Sequence, residues 1–256
     1  MSKITEAFRS GKAFIPFVTA GDPDLETTLE ILNSMVKGGA DIIEIGIPFS
    51  DPVAEGPVIQ KADERALDAG VTTTRIFEMV SEFRKTQDIP LAFMTYINPV
   101  YVFGAERFAS ECKKCGVDAV IIPDIPFEEK KEISGVFDKY EVDLISLIAP
   151  TSKERIQMIA NEAQGFVYCV SSMGVTGMRS EIETNVGNMV EQVKKVKDIP
   201  CAIGFGISTP EQAAQFANIS DGVIVGSAIV KIVEKYGKGA PEQVYQYVKS
   251  MKMAIS

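Results

Sequence analysis

Eight short apolar segments rich in β-branched residues recur along the 256-residue chain, at residues 14–19, 41–47, 91–96, 119–123, 144–149, 166–170, 201–204 and 222–226. Each is the length of a buried strand, and the stretches between them carry the spacing of amphipathic helices. Short buried strands alternating with helices pair in parallel through right-handed crossovers. Eight such units in about 250 residues is the arithmetic of a (β/α)8 TIM barrel. The expected architecture is therefore α/β, one barrel domain over residues 1–256, with an extra N-terminal helix at 4–9 before the first strand. An open, doubly wound sheet could use the same elements, so closure rests on the count of eight and on no single strand.

The intervening helices carry ordinary start and stop signals. Residues 24–36 place Leu25, Leu29, Leu32 and Val36 on one stripe and end at Gly38-Gly39, as a helix C-cap should. Thr151-Ser152 opens another helix, and Ser208-Thr209-Pro210-Glu211 sets a capping residue before a first-turn proline. These features are structural.

Charge and composition narrow the function. A net charge of −9 makes nucleic acid and anionic membrane surfaces poor partners. The polar N-terminus lacks the apolar stretch of a signal peptide, and no run approaches the roughly 18 apolar residues of a membrane span. A cytoplasmic protein acting on a small molecule is expected. The four cysteines are scattered: Cys112 and Cys115 form a C-x-x-C within a charged helical stretch, and Cys169 and Cys201 fall in apolar strands. A zinc ribbon would need a second pair, and a thioredoxin-type motif precedes its helix. Histidine is absent altogether. That excludes a Ser-His triad and imidazole acid/base chemistry, leaving carboxylates, Tyr, Lys or Cys to move protons.

One carboxylate stands out. Glu44 lies in the middle of the second apolar segment between Ile43 and Ile45, and no other expected strand carries an interior Lys or Arg to pair with it. A buried carboxyl without a cation has its pKa raised, which suits it to proton transfer near neutral pH. The segment breaks at Pro48 into a loop with two more acids, Asp51 and Glu55. By composition alone Asp51 could simply initiate a turn before Pro52, and Glu55 could be a solvated loop acid.

In a barrel, working residues lie at the C-terminal ends of strands and in the loops that follow. The loops after the sixth, seventh and eighth segments all carry glycine, in Ser171-Ser-Met-Gly-Val-Thr-Gly177, Gly204-Phe-Gly206 and Val225-Gly-Ser227. With a helix starting at Ser227, these loops form a nest of backbone N–H groups that suits a phosphate. Lysine is absent from these loops, and backbone amides with the helix dipole suffice to hold a dianion.

Taken in order and at their spacing, FIPFVTAGDPD (14–24), ADIIEIGIPFSDPVAEGPVIQ (40–60), IIPDIPFEE (121–129), GVTG (174–177), IGFGIS (203–208) and VGSAIVK (225–231) resemble the tryptophan synthase alpha subunit family over essentially the whole chain. The resemblance implies a carbon–carbon lyase that cleaves indole-3-glycerol phosphate to indole and glyceraldehyde 3-phosphate by a retro-aldol reaction. It implies that Glu44 matches the general acid/base, Glu55 the loop carboxylate facing the indole nitrogen, and Asp51 a loop aspartate tied to loop closure and partner communication. Tyr168 matches a tyrosine beside the catalytic glutamate, Phe17, Tyr96 and Phe205 match pocket aromatics, and Thr176, Gly177, Gly206, Gly226 and Ser227 match loop and phosphate-site positions. Residues 51–56 and 176–179 are candidate gates. No cofactor is expected in this chain. A beta subunit carrying pyridoxal phosphate is the expected partner, in an α2β2 assembly that passes indole between subunits.

This chain departs from the family at one telling point. The usual DPLADGP reads Asp51-Pro-Val-Ala-Glu-Gly-Pro57 here. Glu55 keeps the carboxylate on a stem one methylene longer, a displacement of roughly 1 Å that can cost on the order of 10²-fold in rate unless the loop is reset around it. Val53 and Val58 also differ from the usual residues, so a reset loop is expected. Two other functions fit the same residues: a stand-alone indole-glycerol phosphate lyase, and a phosphate-binding regulatory subunit with weak catalysis of its own.

Overall fold

A computed structural model describes residues 2–152, 155–171, 179–204 and 206–256. All eight expected strands form: β1 (Ala13–Thr19), β2 (Ile43–Gly46), β3 (Leu91–Met94), β4 (Ala119–Ile121), β5 (Asp143–Ile148), β6 (Val167–Val170), β7 (Cys201–Gly204) and β8 (Gly222–Val225). Each pairs in parallel with the next. The β8–β1 ladder, from Ala13 opposite Gly222 to Pro16 opposite Val225, closes the sheet into a barrel and decides against the open alternative. Closure also leaves no unpaired strand edge.

The helices among the described residues are α1 (Lys3–Glu6), α2 (Leu25–Gly38), α3 (Pro57–Asp68), α4 (Thr73–Phe83), α5 (Ile97–Phe103), α6 (Ala105–Cys115), α7 (Lys131–Lys139), α8 (Ile156–Glu162), α9 (Arg179–Val196), α10 (Pro210–Asn218), α11 (Ser227–Tyr236) and α12 (Ala240–Ile255). Among them none is long and apolar enough to cross a membrane. Their starts follow local chemistry. Asp24 caps α2, its carboxylate accepting from the Thr27 N–H at 2.7 Å. Thr209 and Gln212 form a reciprocal capping box at α10, with Pro210 in its first turn.

Strand alternation sorts the apolar side chains into two layers. Ile15, Ala92, Ala119, Ile121, Ile145, Ala202 and Ile224 cluster inside the barrel. Phe14, Val18, Ile43, Ile45, Phe93, Val120 and Ile203 pack outward under the helices. The N-terminal end of the barrel is plugged. Ile4 of α1 is fully buried in the interior cluster, and Phe8 meets Phe166 with ring centroids 5.6 Å apart. The first helix is accordingly shorter than the expected 4–9: it stops at Glu6, and the turn that follows brings Phe8 beneath the strands.

The stripe expected on α2 is also displaced. Its buried face is Thr27, Thr28, Ile31, Leu32, Met35 and Gly38, whereas Leu25, Leu29 and Val36 are only partly covered. The cause is α12, which lies across it so closely that a Cβ on Gly38 would sit 2.7 Å from Val248 Cγ1. All four cysteines are buried free thiols. Cys115 Sγ accepts from the Ser81 hydroxyl at 3.1 Å, which ties α6 to α4.

Candidate active site

The C-terminal end of the barrel opens into a cavity of about 450 Å³. Its floor is made by strand residues, Phe17, Glu44, Met94, Tyr168 and Ile224. One wall is the end of the loop after β2 and the start of α3, from Ala54 to Val58, and the opposite rim carries Gly206, Ser208, Gly226 and Ser227. Among the described residues, five buried side-chain oxygens have no hydrogen-bond partner: Thr19 Oγ1, Glu44 Oε2, Glu55 Oε2, Thr95 Oγ1 and Asp143 Oδ2. The first four gather at this end of the barrel, where strands β1, β2 and β3 finish. Buried polar groups are normally satisfied, so a cluster of orphans marks a place built for something other than stability.

Glu44 points inward. Its neighbours across the two ladders are Phe17 and Ala92, both interior residues, while Ile43 and Ile45 face the helices. It is 2% exposed, and among the described residues no ion pair involves it. Burial, and secondarily the charge of Glu55, pushes its carboxyl up to about 8. At neutral pH it is mainly protonated, a donor that becomes a base once its proton is spent. The sequence showed an acid in a strand but not which face it took, because both faces of a parallel strand are apolar.

Two aromatic rings bracket Glu44, and glycines make room for them. Tyr168 comes from β6, and a Cβ on Gly204 would lie 2.3 Å from its hydroxyl oxygen. Burial, and then Glu44, hold the Tyr168 phenol above its usual pKa, so it stays a neutral hydroxyl. Phe17 comes from β1. Cβ atoms on Gly46 and Gly226 would sit 2.6 and 3.3 Å from its ring carbons, so both glycines admit the ring. These contacts leave a flat apolar slot beside one carboxyl.

Glu55 enters from the loop side. Its longer stem turns toward two groups, Asp63 of α3 and Tyr96. Burial raises its carboxyl, and hydrogen-bond interactions with Asp63 and Tyr96 oppose that rise. Tyr96 itself does not line the cavity. It is 1% exposed behind the loop, where its hydroxyl accepts from the Ala54 N–H at 3.0 Å and its ring lies 5.3 Å from that of Phe49. Its contribution is to hold the loop that carries Glu55. Val58 packs with Phe17, Ala62 and Val230 at the cavity wall, whereas Val53 at the loop tip is 80% exposed. Asp51 is exposed beyond the cavity and accepts from the Ser50 hydroxyl.

The opposite rim is suited to an anion. Gly206 adopts φ +78°, a left-handed conformation that glycine takes without strain. Ser227 and Ala228 open α11, and first-turn N–H groups have no intrahelical acceptor. Lys231, one turn further along the same helix, also lines the cavity. Sequence reasoning missed it by looking only within the loops; the i, i+4 spacing from Ser227 was the available signal. Asp63 was missed too, although an acid between Ile59, Ala62 and Ala66 on the apolar face of α3 could have been noticed. Thr176, Gly177 and Phe205, expected at the phosphate and pocket positions, lie outside the described residues, as does most of the 176–179 gate. Among the described residues no group of three His, Cys, Asp or Glu side chains could hold a metal ion.

A closed parallel barrel with a neutral buried carboxyl, a second carboxyl across an apolar slot and an anion-suited rim belongs to the acid/base enzymes of the TIM-barrel class. The tryptophan synthase alpha chain family matches residues 4–256. A tryptophan synthase alpha chain of Lacticaseibacillus casei is 48% identical over 255 residues, covering 100% of this chain and 96% of its own length. One from Thermoanaerobacter is 49% identical, over 95% of this chain and 94% of its own. Among solved structures, the alpha subunit of tryptophan synthase from Legionella pneumophila superposes with a TM-score of 0.90 at 39% identity, covering 100% and 98% of the two chains. A tryptophan synthase complex from Pyrococcus furiosus contains a chain with a TM-score of 0.86 at 34% identity, covering 95% and 99%. The chain belongs to the tryptophan synthase alpha chain family, lyases whose known reaction is the retro-aldol cleavage of indole-3-glycerol phosphate.

Proposed function

We propose that this cavity carries out that cleavage with Glu44 as the proton donor and acceptor and Glu55 as the counter-charge. The reaction needs a proton on indole C3, stabilisation of the positive charge that then develops at N1, and removal of the side-chain hydroxyl proton. A protonated Glu44 delivers its proton to C3 as the N1 lone pair feeds into the ring. The Glu55 carboxylate across the slot stabilises the resulting iminium. Glu44, now a carboxylate, takes the hydroxyl proton; the bond between C3 and the side chain breaks, its electron pair returns to the ring, and the aldehyde forms. Protons and charge balance, and Glu44 ends as it began.

The slot between Phe17 and Tyr168 suits a flat bicyclic ring, and the Gly206, Gly226 and Ser227 rim with Lys231 suits the phosphate. The single observation carrying this reading is the inward, uncompensated Glu44, held neutral near pH 7. No residue of this chain is assigned to a cofactor. The exposed apolar side chains Val53, Tyr101 and Val102, on the β2 loop and α5, support docking of a beta subunit there, with pyridoxal phosphate in that partner, an α2β2 assembly and Asp51 beside the contact. The test is Glu44→Gln, which keeps size and shape: binding of indole-3-glycerol phosphate should persist while cleavage falls by about 10²–10⁴-fold. Cleavage at the wild-type rate would remove Glu44 from the role.

A further inference from the structure

Helix α3 buries three residues, Ala62, Asp63 and Ala66, and the acid among them has no evident structural duty. Asp63 is 3% exposed in the body of a helix, where aspartate is a poor helix former. Buried carboxylates are ordinarily paired, yet no ion pair among the described residues includes it. Arg65 of the same helix is committed to Asp22 at 2.8 Å and Glu234 at 3.4 Å, and Lys61 points to solvent. What Asp63 does meet is the other carboxyl, Glu55, whose buried Oε2 has no partner of its own.

Among the described residues, no element packed around Asp63 pairs it with a counter-charge. The loop before α3 supplies Glu55, β1 the Thr19 side chain, whose hydroxyl is among the orphaned oxygens, and the β2 loop the Phe49 backbone. From the start of α5, Tyr96 faces both acids; from β2, Glu44 adds a further acid near Glu55. Helix α11 packs on α3, but its Glu234 is taken by Arg65, and its Lys231 lines the cavity and forms no ion pair with Asp63. Two carboxyls in hydrogen-bond contact cannot both be ionised, so the pair retains one proton. Asp63 is the more deeply buried of the two, and its pKa is raised by that burial and by the charge of Glu55. The proton therefore belongs with Asp63, and the charge with Glu55.

We propose that Asp63 is a positioning residue that keeps its proton and donates it in a hydrogen bond to Glu55, holding the longer glutamate of this loop as a carboxylate directed across the cavity. The extra methylene of Glu55 is then matched by a specific partner on α3, and the two positions work as a unit. This inference rests on the role proposed for Glu55 above.

Asparagine is a neutral donor of nearly the same shape, so the pairing predicts rescue. Asp63→Ala should lower kcat for indole-3-glycerol phosphate cleavage by about tenfold, whereas Asp63→Asn should stay within about threefold of wild type. A residue with a purely packing role would not separate these two variants in kcat while leaving circular dichroism and Tm alike. In a Glu55→Asp background, whose shorter stem withdraws from α3, Asp63→Ala should cost less than about twofold, a non-additivity diagnostic of contact. The wild-type minus Asp63→Asn infrared difference spectrum at neutral pH should contain a protonated-carboxyl C=O band beyond that of Glu44, which both proteins share and which cancels, a readout independent of activity. Equal losses in Asp63→Asn and Asp63→Ala, wild-type kcat in both, or additivity with Glu55→Asp would overturn the inference. Glu44→Gln, measured alongside, separates the failures: full activity there defeats the proposed function itself, and its inactivity with both Asp63 variants at wild-type rate defeats only the pairing.

Discussion

The two ends of the barrel are built on opposite principles. The N-terminal end is closed by Ile4, Phe8 and Phe166, and its polar requirements are largely met: the Thr5 hydroxyl donates to the Gly165 carbonyl at 2.9 Å, and Asp118 accepts from Leu91 N–H at 2.9 Å and Arg84 at 3.1 Å. The C-terminal end is hollow and holds unpaired oxygens of Glu44, Glu55, Thr19 and Thr95. One end spends its residues on burial and the other withholds it. A fold of this kind can therefore be stabilised at the bottom without touching the reaction, and loses stability at the top in proportion to the chemistry it keeps ready.

Substitutions at the two ends should dissociate turnover from stability, and Glu44→Gln gives the widest separation. Its large loss of turnover should be accompanied by a gain in stability at alkaline pH. The sign follows from linkage: the folded state holds the Glu44 proton up to about 8 while the unfolded chain releases it near 4.5. Between those values the native state binds more protons, so stability falls as pH rises through this window. Glutamine has no proton to lose. Denaturant midpoints of the variant should exceed wild type at pH 9 and converge with it at pH 4; parallel curves would show that Glu44 is not buried as a neutral acid.

Gly204→Ala should have the next largest effect on turnover. Its Cβ would meet the Tyr168 hydroxyl at 2.3 Å, and overpacking of this kind typically costs about 1–3 kcal/mol. Because the displaced ring is a wall of the slot, the Michaelis constant should rise along with a loss of Tm. A drop in Tm with unaltered kinetics would mean that Tyr168 has no part in holding the substrate.

Ile4→Ala sits at the other extreme. Removing a fully buried plug residue should cost about 2–4 kcal/mol in urea unfolding and leave kcat and KM where they were. Any change in kinetics comparable to that of Gly204→Ala would erase the distinction between the two ends.

The same division explains which features were legible in the sequence. The eight strands, the capping of α10 and the isolation of Glu44 are local signals, set by patterns a few residues long. Closure of the barrel was legible only as a count, since nothing in β1 or β8 alone says that they meet. The direction of Glu44 was hidden because Ile43 and Ile45 would look alike on either face. Lys231 and Asp63 were hidden for a different reason: each lies on a helix rather than at a strand end, and enters the site through a fold-back that sequence neighbours do not reveal. Tyr96 was expected in the pocket as an aromatic, whereas its hydroxyl is used to pin the Ala54 backbone.

The most direct measurement is the titration of the Glu44 carboxyl itself, followed by carbon-13 NMR of labelled glutamate with Glu44→Gln used to assign the resonance. A midpoint near 8 is expected, with the group largely protonated at neutral pH. A midpoint near the ordinary 4.5 would leave an ionised carboxylate that cannot protonate an indole ring, and would contradict the proposed chemistry at its first step.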